Sequence, residues 1–260
     1  MKLDYCYHCH TKRCGHATGE DEEYVRRAID LGIKRLGFSD HVILPEGYSQ
    51  RGIRGDYSLL EDYLQSIKGL KEKYKDQIEI LVGFEAEYFL ELVDYYKDLL
   101  KNKIDFLILG QHCFIENGSF HWSFPETDPT KYMERYANNV IQGMKTGLFT
   151  YLCHPDLFMN HHGIWNETIE KYSREILKAC EELNIPIEIN MQQWRYGRSD
   201  GKYFGYPNVH FFNLAKEYNV KCVIGLDAHE PNAFSERDLE MISDFLARTG
   251  IKVEEDYFIK

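Results

Sequence analysis

Three histidines near the start of the chain have the spacing of a metal-binding motif. His8 and His10 are separated by one residue, and His16 follows inside the run YCYHCHTKRCGHATGEDEEYV. Residues i and i+2 of an extended segment point to the same side, so both imidazoles can reach one metal ion without a bend in the backbone. A single pair of this kind often occurs by chance, and its interpretation therefore depends on the rest of the chain.

Further residues of the metal-ligand type follow at or just past the ends of predicted strands. Asp227 and His229 repeat the spacing of His8 and His10. Nine ligand-type groups are too many for one tetrahedral or octahedral ion and favour two or three ions, with a carboxylate such as Glu85 bridging a close pair. The predicted metal ligands are His8, His10, His16, His41, Glu85, His112, His154, Asp227 and His229.

The overall composition limits the classes of partner. The chain has 260 residues and a formal net charge of −11. This acidic balance argues against duplex nucleic acid or an anionic membrane surface, but it allows a small phosphorylated substrate, because bound dications would change the local field. No apolar run approaches the length needed to cross a bilayer, and no signal-peptide pattern follows Met1. We therefore expect a cytoplasmic protein whose seven cysteines are thiols.

Apolar strand-like runs alternate with amphipathic helical patterns along the whole chain. Seven βα units result, and no linker or shift in composition divides them, so we expect a single domain over residues 1–260. Residues 113–128 read as an aromatic-rich loop, and the tail 251–260 is a candidate edge strand. The predicted strands are 3–8, 35–40, 78–84, 105–110, 149–153, 186–189 and 221–226.

The positions of the polar residues distinguish between two architectures. Right-handed βα crossovers allow either an open doubly wound sheet or a closed barrel. Six of the seven predicted strands end in His, Asp or Glu, and the other ends in Asn190. A closed barrel brings these groups together at its C-terminal mouth, whereas an open sheet would spread them along a line. We therefore predict an α/β fold of the distorted (β/α)7, TIM-like barrel type.

Short motifs surround the predicted ligands in a fixed order along the chain. They are His8-Cys9-His10-Thr11, Arg13-Cys14-Gly15-His16-Ala17, Ser39-Asp40-His41, Gly83-Phe84-Glu85, Gly110-Gln111-His112, Cys153-His154-Pro155-Asp156 and Asp227-Ala228-His229. This ordered set resembles the PHP (polymerase and histidinol phosphatase) family and, within it, the stand-alone histidinol-phosphate phosphatases. The resemblance extends over essentially the whole chain and implies a (β/α)7 barrel with a trinuclear metal centre at its mouth.

The resemblance also implies how the ligands are shared among three divalent ions, whose identity (Zn, Mn or Fe) the donor set leaves open. His8, His10, Glu85 and Asp227 would hold one ion, Glu85, His112 and His154 a second, and His16, His41 and His229 a third. The implied reaction is phosphomonoester hydrolysis by a hydroxide that bridges two ions.

Two arginines are candidates for binding the phosphate oxygens. Arg195 and Arg198 lie in the long loop after the sixth predicted strand. A guanidinium group gives bidentate contact to phosphate, which suits this role.

Three functions are compatible with these observations. The first is hydrolysis of L-histidinol phosphate in histidine biosynthesis. The second is a phosphoesterase of the same fold that acts on nucleotides or nucleic-acid ends, although the sequence has no basic groove for a long nucleic acid. The third is a non-catalytic, metal-stabilised module. This last class would be expected to have lost some ligands, and all nine are present.

Overall fold

Short, apolar parallel strands form the centre of the computed structural model, which describes residues 2–124, 129–160, 165–195 and 205–259. Within these ranges there are eight strands: β1 Tyr5–Cys6, β2 Arg35–Phe38, β3 Glu79–Ala86, β4 Phe106–Leu109, β5 Cys113–Glu116, β6 Ser119–Trp122, β7 Ile187–Asn190 and β8 Cys222–Gly225. The α-helices are α1 Asp21–Asp30, α2 Leu60–Tyr74, α3 Val93–Asn102, α4 Met133–Lys145, α5 Glu167–Leu183, α6 Gln192–Arg195, α7 Val209–Ala215 and α8 Glu236–Thr249.

The parallel segments close into a ring. Strands β1, β2, β3 and β4 pair in this order, and β7 pairs with β8, all in parallel. Leu152 forms single parallel bridges to Leu109 on one side and to Ile187 on the other, which connects β4 to β7. A bridge between Cys9 and Ala228 connects the end of β8 to the end of β1. The prediction of a distorted seven-unit barrel is confirmed.

Local sequence signals explain where several helices begin and end. Glu20 and Glu23 form a reciprocal capping box at the start of α1. The hydroxyl of Ser235 accepts a backbone hydrogen bond at the start of α8, and Gly250 ends that helix in the left-handed conformation with φ 65°. The buried apolar side chains of the helices belong to the main apolar core, which also contains strand residues such as Leu36, Ile80 and Ile189. In the part of the chain that is described, no helix is long and apolar enough to span a membrane.

Three segments differ from the sequence-based expectation. The predicted strand 149–153 is reduced to the bridges of Leu152. The segment expected to be a loop contains the antiparallel hairpin β5–β6. The tail is not an edge strand over its described residues; instead the Tyr5 hydroxyl donates to the Glu254 carbonyl and the Tyr7 hydroxyl to the Tyr257 carbonyl, each at 2.7 Å. The tail therefore packs against Tyr5 and Tyr7 and makes a backbone hydrogen bond from Glu254 N–H to the Cys222 carbonyl, without forming a strand.

Candidate metal centre

The C-terminal ends of the barrel segments bring all nine predicted ligands together. His8 and His10 follow β1, Glu85 lies within β3, and Asp227 and His229 follow β8. The remaining four, which follow the other segments or lie in the first loop, are His16, His41, His112 and His154. Since parallel strands end on the same face of a barrel, residues far apart in the sequence become neighbours here.

Glu85 lies at the middle of the cluster, and its two oxygens face different imidazoles. Its Oε1 is 2.6 Å from His154 Nε2 and 3.2 Å from His112 Nε2. Its Oε2 is 3.1 Å from His41 Nδ1 and 3.5 Å from His8 Nε2. A carboxylate whose two oxygens serve separate sets of nitrogens has the arrangement needed to bridge two metal ions.

Asp227 occupies the opposite side of the cluster. Its Oδ1 is 3.1 Å from His10 Nε2 and 3.3 Å from His229 Nδ1. The other ring nitrogen of His229 lies 3.0 Å from His16 Nε2. Asp227 has φ 47° and His154 has φ 27°, so both adopt positive φ without being glycine. Backbone strain of this kind is found at functional sites, where the surrounding structure holds it in place.

The contacts of the donor atoms indicate whether cations can be bound between them. Several buried ring nitrogens and carboxylate oxygens face one another at close range yet have no hydrogen-bond partner within the described structure. Unpaired buried acceptors are costly, and a cation between them removes that cost. Imidazole and carboxylate donors suit Zn, Mn and Fe. The residues therefore fit divalent metal ions, and the unpartnered atoms are His8 Nε2, His10 Nε2, His41 Nδ1, Glu85 Oε2 and Asp227 Oδ1.

The two carboxylates of the cluster are anionic. Burial alone raises the pKa of Glu85, but the surrounding imidazoles, His112 first, hold it well below its usual range. Burial likewise raises the pKa of Asp227, and His8, His10 and His229 hold it far below. The same attraction opposes the effect of burial on His10 and raises its pKa to about 9. These opposed shifts show that both carboxylates favour positive charge beside them, which bound divalent ions would supply.

A buried ion pair supports the ligand His112 from behind. His112 Nδ1 lies 3.1 Å from Glu87 Oε1, and this oxygen also accepts a hydrogen bond from Arg54 at 2.8 Å. Burial raises the pKa of Glu87, but Arg54 and His112 together lower it to about 2. From the sequence, Arg54 was not predicted to belong to the site, and Glu87 was a candidate only for contact with substrate. The spacing could have indicated Glu87, because it lies two residues after Glu85 and side chains two apart in an extended segment point to the same side.

A cavity of about 330 Å³ opens onto the ligands. Besides seven of the predicted ligands, neutral polar and apolar side chains line it. None of the lining residues in the described ranges is Lys or Arg. Gln192 makes a hydrogen bond of 3.0 Å to His229 Nδ1, and the Tyr206 hydroxyl donates to Gln192 at 2.8 Å. The sequence analysis missed these two, and the other additional lining residues are Ile53, Trp122, Leu157 and Asn160.

Of the two arginines predicted to bind phosphate, the structure describes only Arg195. Arg195 is placed differently from the expectation, because its guanidinium donates to Asp238 at 2.7 Å and to the Leu226 carbonyl at 2.8 Å, and it does not line the cavity. Arg195 therefore links α8 to the backbone of Leu226, the residue before Asp227. Arg198 lies outside the described residues, and its role stays a prediction.

The fold and the donor cluster define a class of protein, an α/β barrel with nine side chains of the metal-ligand type clustered at its mouth. The sequence model of the PHP domain matches residues 7–192, which is more than half of the chain. The chain therefore belongs to the PHP domain family, as the motifs indicated.

Several relatives of this chain are named as histidinol-phosphatases. A probable histidinol-phosphatase of Deinococcus radiodurans is 24% identical over 242 residues, which cover 91% of this chain and 90% of that protein. The histidinol-phosphatase of Bacillus subtilis is 23% identical over 250 residues, covering 86% and 92%. The crystal structure of histidinol phosphate phosphatase from Lactococcus lactis, complexed with Zn, L-histidinol and phosphate, matches with a TM-score of 0.72 at 17% identity and covers 97% of this chain and 95% of that one. This last similarity establishes the fold.

Proposed function

We propose that this chain is a metal-dependent phosphomonoesterase that hydrolyses L-histidinol phosphate to L-histidinol and phosphate in histidine biosynthesis. The observation that carries the proposal is the convergence of seven imidazoles and two carboxylates at the barrel mouth, with Glu85 placed between two sets of nitrogens. The names of relatives that match over most of their length support the substrate. So does the complex of the Lactococcus lactis protein with Zn, L-histidinol and phosphate.

The proposal includes three ions in the arrangement that the family resemblance implies. The separation of the Glu85 oxygens supports an ion near His112 and His154 and another near His8 and His10. The contact between His16 and His229 supports a third position at the rim. Divalent ions bound here would supply an activated water as nucleophile and positive charge for the phosphoryl oxygens.

The chain's own groups would bind and orient the ester. Asn160, Gln192 and Tyr206 present neutral polar groups to the cavity, and the half-exposed Trp122 at the end of β6 presents an aromatic face. We keep Arg198 as the proposed phosphate-binding cation, since Arg195 is engaged with Asp238.

The proposal also includes the domain organisation and the cellular location of the chain. We infer that residues 1–260 act as one phosphoesterase domain, because barrel segments from both ends of the sequence contribute ligands. We also infer a cytoplasmic location. All seven cysteines are buried and unpaired, as expected in a reducing compartment.

The test is phosphate release from L-histidinol phosphate, a set of mononucleotides and an aryl phosphate, with metal content measured on the same preparation. Efficient turnover confined to L-histidinol phosphate is expected. A preference for a nucleotide would replace the substrate with that of the alternative PHP phosphoesterase function. No hydrolysis of any ester by fully metal-loaded protein would contradict the phosphatase assignment and favour a non-catalytic module.

A further inference from the structure

A buried carboxylate beneath the metal centre belongs neither to the ligand set nor to the cavity lining. Glu188 lies on β7 with 0% exposure, in a strand whose other side chains are Ile187, Ile189 and Asn190. We propose that Glu188 is a positioning residue that fixes the ring orientation and tautomer of His8, so that His8 Nε2 is free to bind a divalent ion. The inference rests on the proposed function only in requiring that the site binds such an ion.

The contacts of Glu188 are those of an acceptor held in place from several sides. His8 Nδ1 lies 2.9 Å from its Oε1 and 3.1 Å from its Oε2. Its Oε2 also accepts from the backbone N–H of His154 at 3.1 Å and from Asn190 Nδ2 at 2.8 Å. The other groups that contact these two oxygens are all donors, so the carboxylate is placed to accept the Nδ1–H of His8 as well.

This assignment of the hydrogen determines what the other side of the ring can do. With the hydrogen on Nδ1, Nε2 of neutral His8 carries a lone pair. That nitrogen points towards Glu85 Oε2 and Asp227 Oδ1, each at 3.5 Å, and has no hydrogen-bond partner. Three electron-rich atoms that face one another are stable only with a cation between them. A carboxylate behind a ligating histidine also makes the ring a stronger base and donor.

The neighbouring strand is shaped to leave room for Glu188. A Cβ atom on Gly225 of β8 would lie 1.7 Å from Glu188 Oε1, which is far inside any permitted contact. Any other residue at this position would displace the carboxylate. Glu188 does not line the cavity, so it acts through His8 and not by contact with substrate.

The experiment measures the affinity of the whole metal-free protein for Zn²⁺ by competition with a chelator, in Glu188→Gln and in a matched control. Glu188→Gln keeps the shape but replaces one acceptor oxygen by an N–H₂ group, so Zn²⁺ affinity should fall roughly 10–100-fold. The control, Tyr151→Phe, removes a hydroxyl 3.5 Å from the same carboxylate and should leave Zn²⁺ affinity unchanged.

A role limited to folding would instead lower the unfolding temperature of the metal-free Glu188→Gln protein while leaving Zn²⁺ affinity intact, and that result would overturn the proposal. If the variant does not fold, the Zn²⁺-loaded wild-type protein with ¹⁵N-labelled histidine provides the readout. A proton on His8 Nδ1 supports the proposal, and a proton on Nε2 overturns it. Neither readout involves substrate, so failure to hydrolyse L-histidinol phosphate would leave this test intact.

Discussion

Glu85 Oε1 and His154 Nε2 lie 2.6 Å apart although 69 positions separate the two residues in the sequence. The other oxygen of Glu85 faces His8, His10 and His41. One side chain therefore joins imidazoles from five separate positions along the chain, and the site depends on it more than on any single histidine.

Replacing Glu85 by Gln should remove metal and activity together. The amide keeps the volume but loses the charge that offsets two dications, and its N–H₂ group faces a set of imidazole nitrogens. Metal per chain, measured on purified protein, should fall by at least one ion, with hydrolysis falling in proportion. A fully active variant with unchanged metal content would contradict a multinuclear centre.

Gly110→Ala should have a similar effect without altering any donor. A Cβ at Gly110 would lie 2.1 Å from Glu85 Oε1, so the carboxylate must move. We expect reduced metal content, measured by elemental analysis. The control is Gly69→Ala in the exposed part of α2, where no atom lies within 4 Å of the new Cβ and the helix should gain about 0.5–1 kcal/mol. Equal metal content in both variants would argue against the position of Glu85.

Removal of metal by a chelator should lower the unfolding temperature of the wild-type protein. The buried donors of the centre lose the cations that satisfy them, and ligand binding to the folded state stabilises it by about 2.7 kcal/mol when free metal is one hundred times the dissociation constant. Re-addition of Zn²⁺ or Mn²⁺ should restore both the unfolding temperature and the activity. An unfolding temperature that is the same with and without metal would show that the ions do not bind at these buried groups.

Arg54→Met should destabilise the protein through Glu87. Both side chains are almost fully buried, at 3% and 0% exposure, and their contact is 2.8 Å. An unpaired buried carboxylate costs roughly 3–5 kcal/mol, which denaturant unfolding can measure. The double variant Arg54→Met/Glu87→Gln should recover much of this loss, because no buried charge is left alone. A double variant less stable than either single one would rule out this explanation.

Variants of Arg195 and Arg198 should distinguish a structural role from a role in substrate binding. Arg195→Gln breaks a buried pair with Asp238 and the contact with the Leu226 carbonyl next to Asp227, so it should lower stability by several kcal/mol and weaken metal binding. Arg198→Ala should instead raise KM for the phosphate ester while leaving stability and metal content unchanged. If Arg195→Gln raised KM alone, the original phosphate-binding interpretation of Arg195 would be restored.

The sequence predicted which nine residues of the metal-ligand type would lie close together at the barrel mouth. Parallel strands all end on one face, and the His8-x-His10 and Asp227-x-His229 spacings follow the two-residue period of an extended chain. These signals are local, and together with the polar residues after the strands they led to the correct inference of a barrel, although the predicted strand 149–153 is reduced to the bridges of Leu152. The hairpin β5–β6 was missed because Cys113–Glu116 does not alternate apolar and polar residues, although Asn117-Gly118 between the two strands is a typical hairpin turn.

The residues that support the ligands became visible only in the tertiary structure. Glu188 and His8 are 180 positions apart, and Arg54 and Glu87 come from different loops, so no spacing in the sequence marks them as partners. The same limit applies to Arg195, whose residue type suits phosphate but whose contacts are with Asp238 and a backbone carbonyl. Residue type and period determine which groups reach the barrel mouth. Three-dimensional packing alone decides which of them share a proton, a charge or a cation, because those interactions depend on distances that local sequence patterns do not encode.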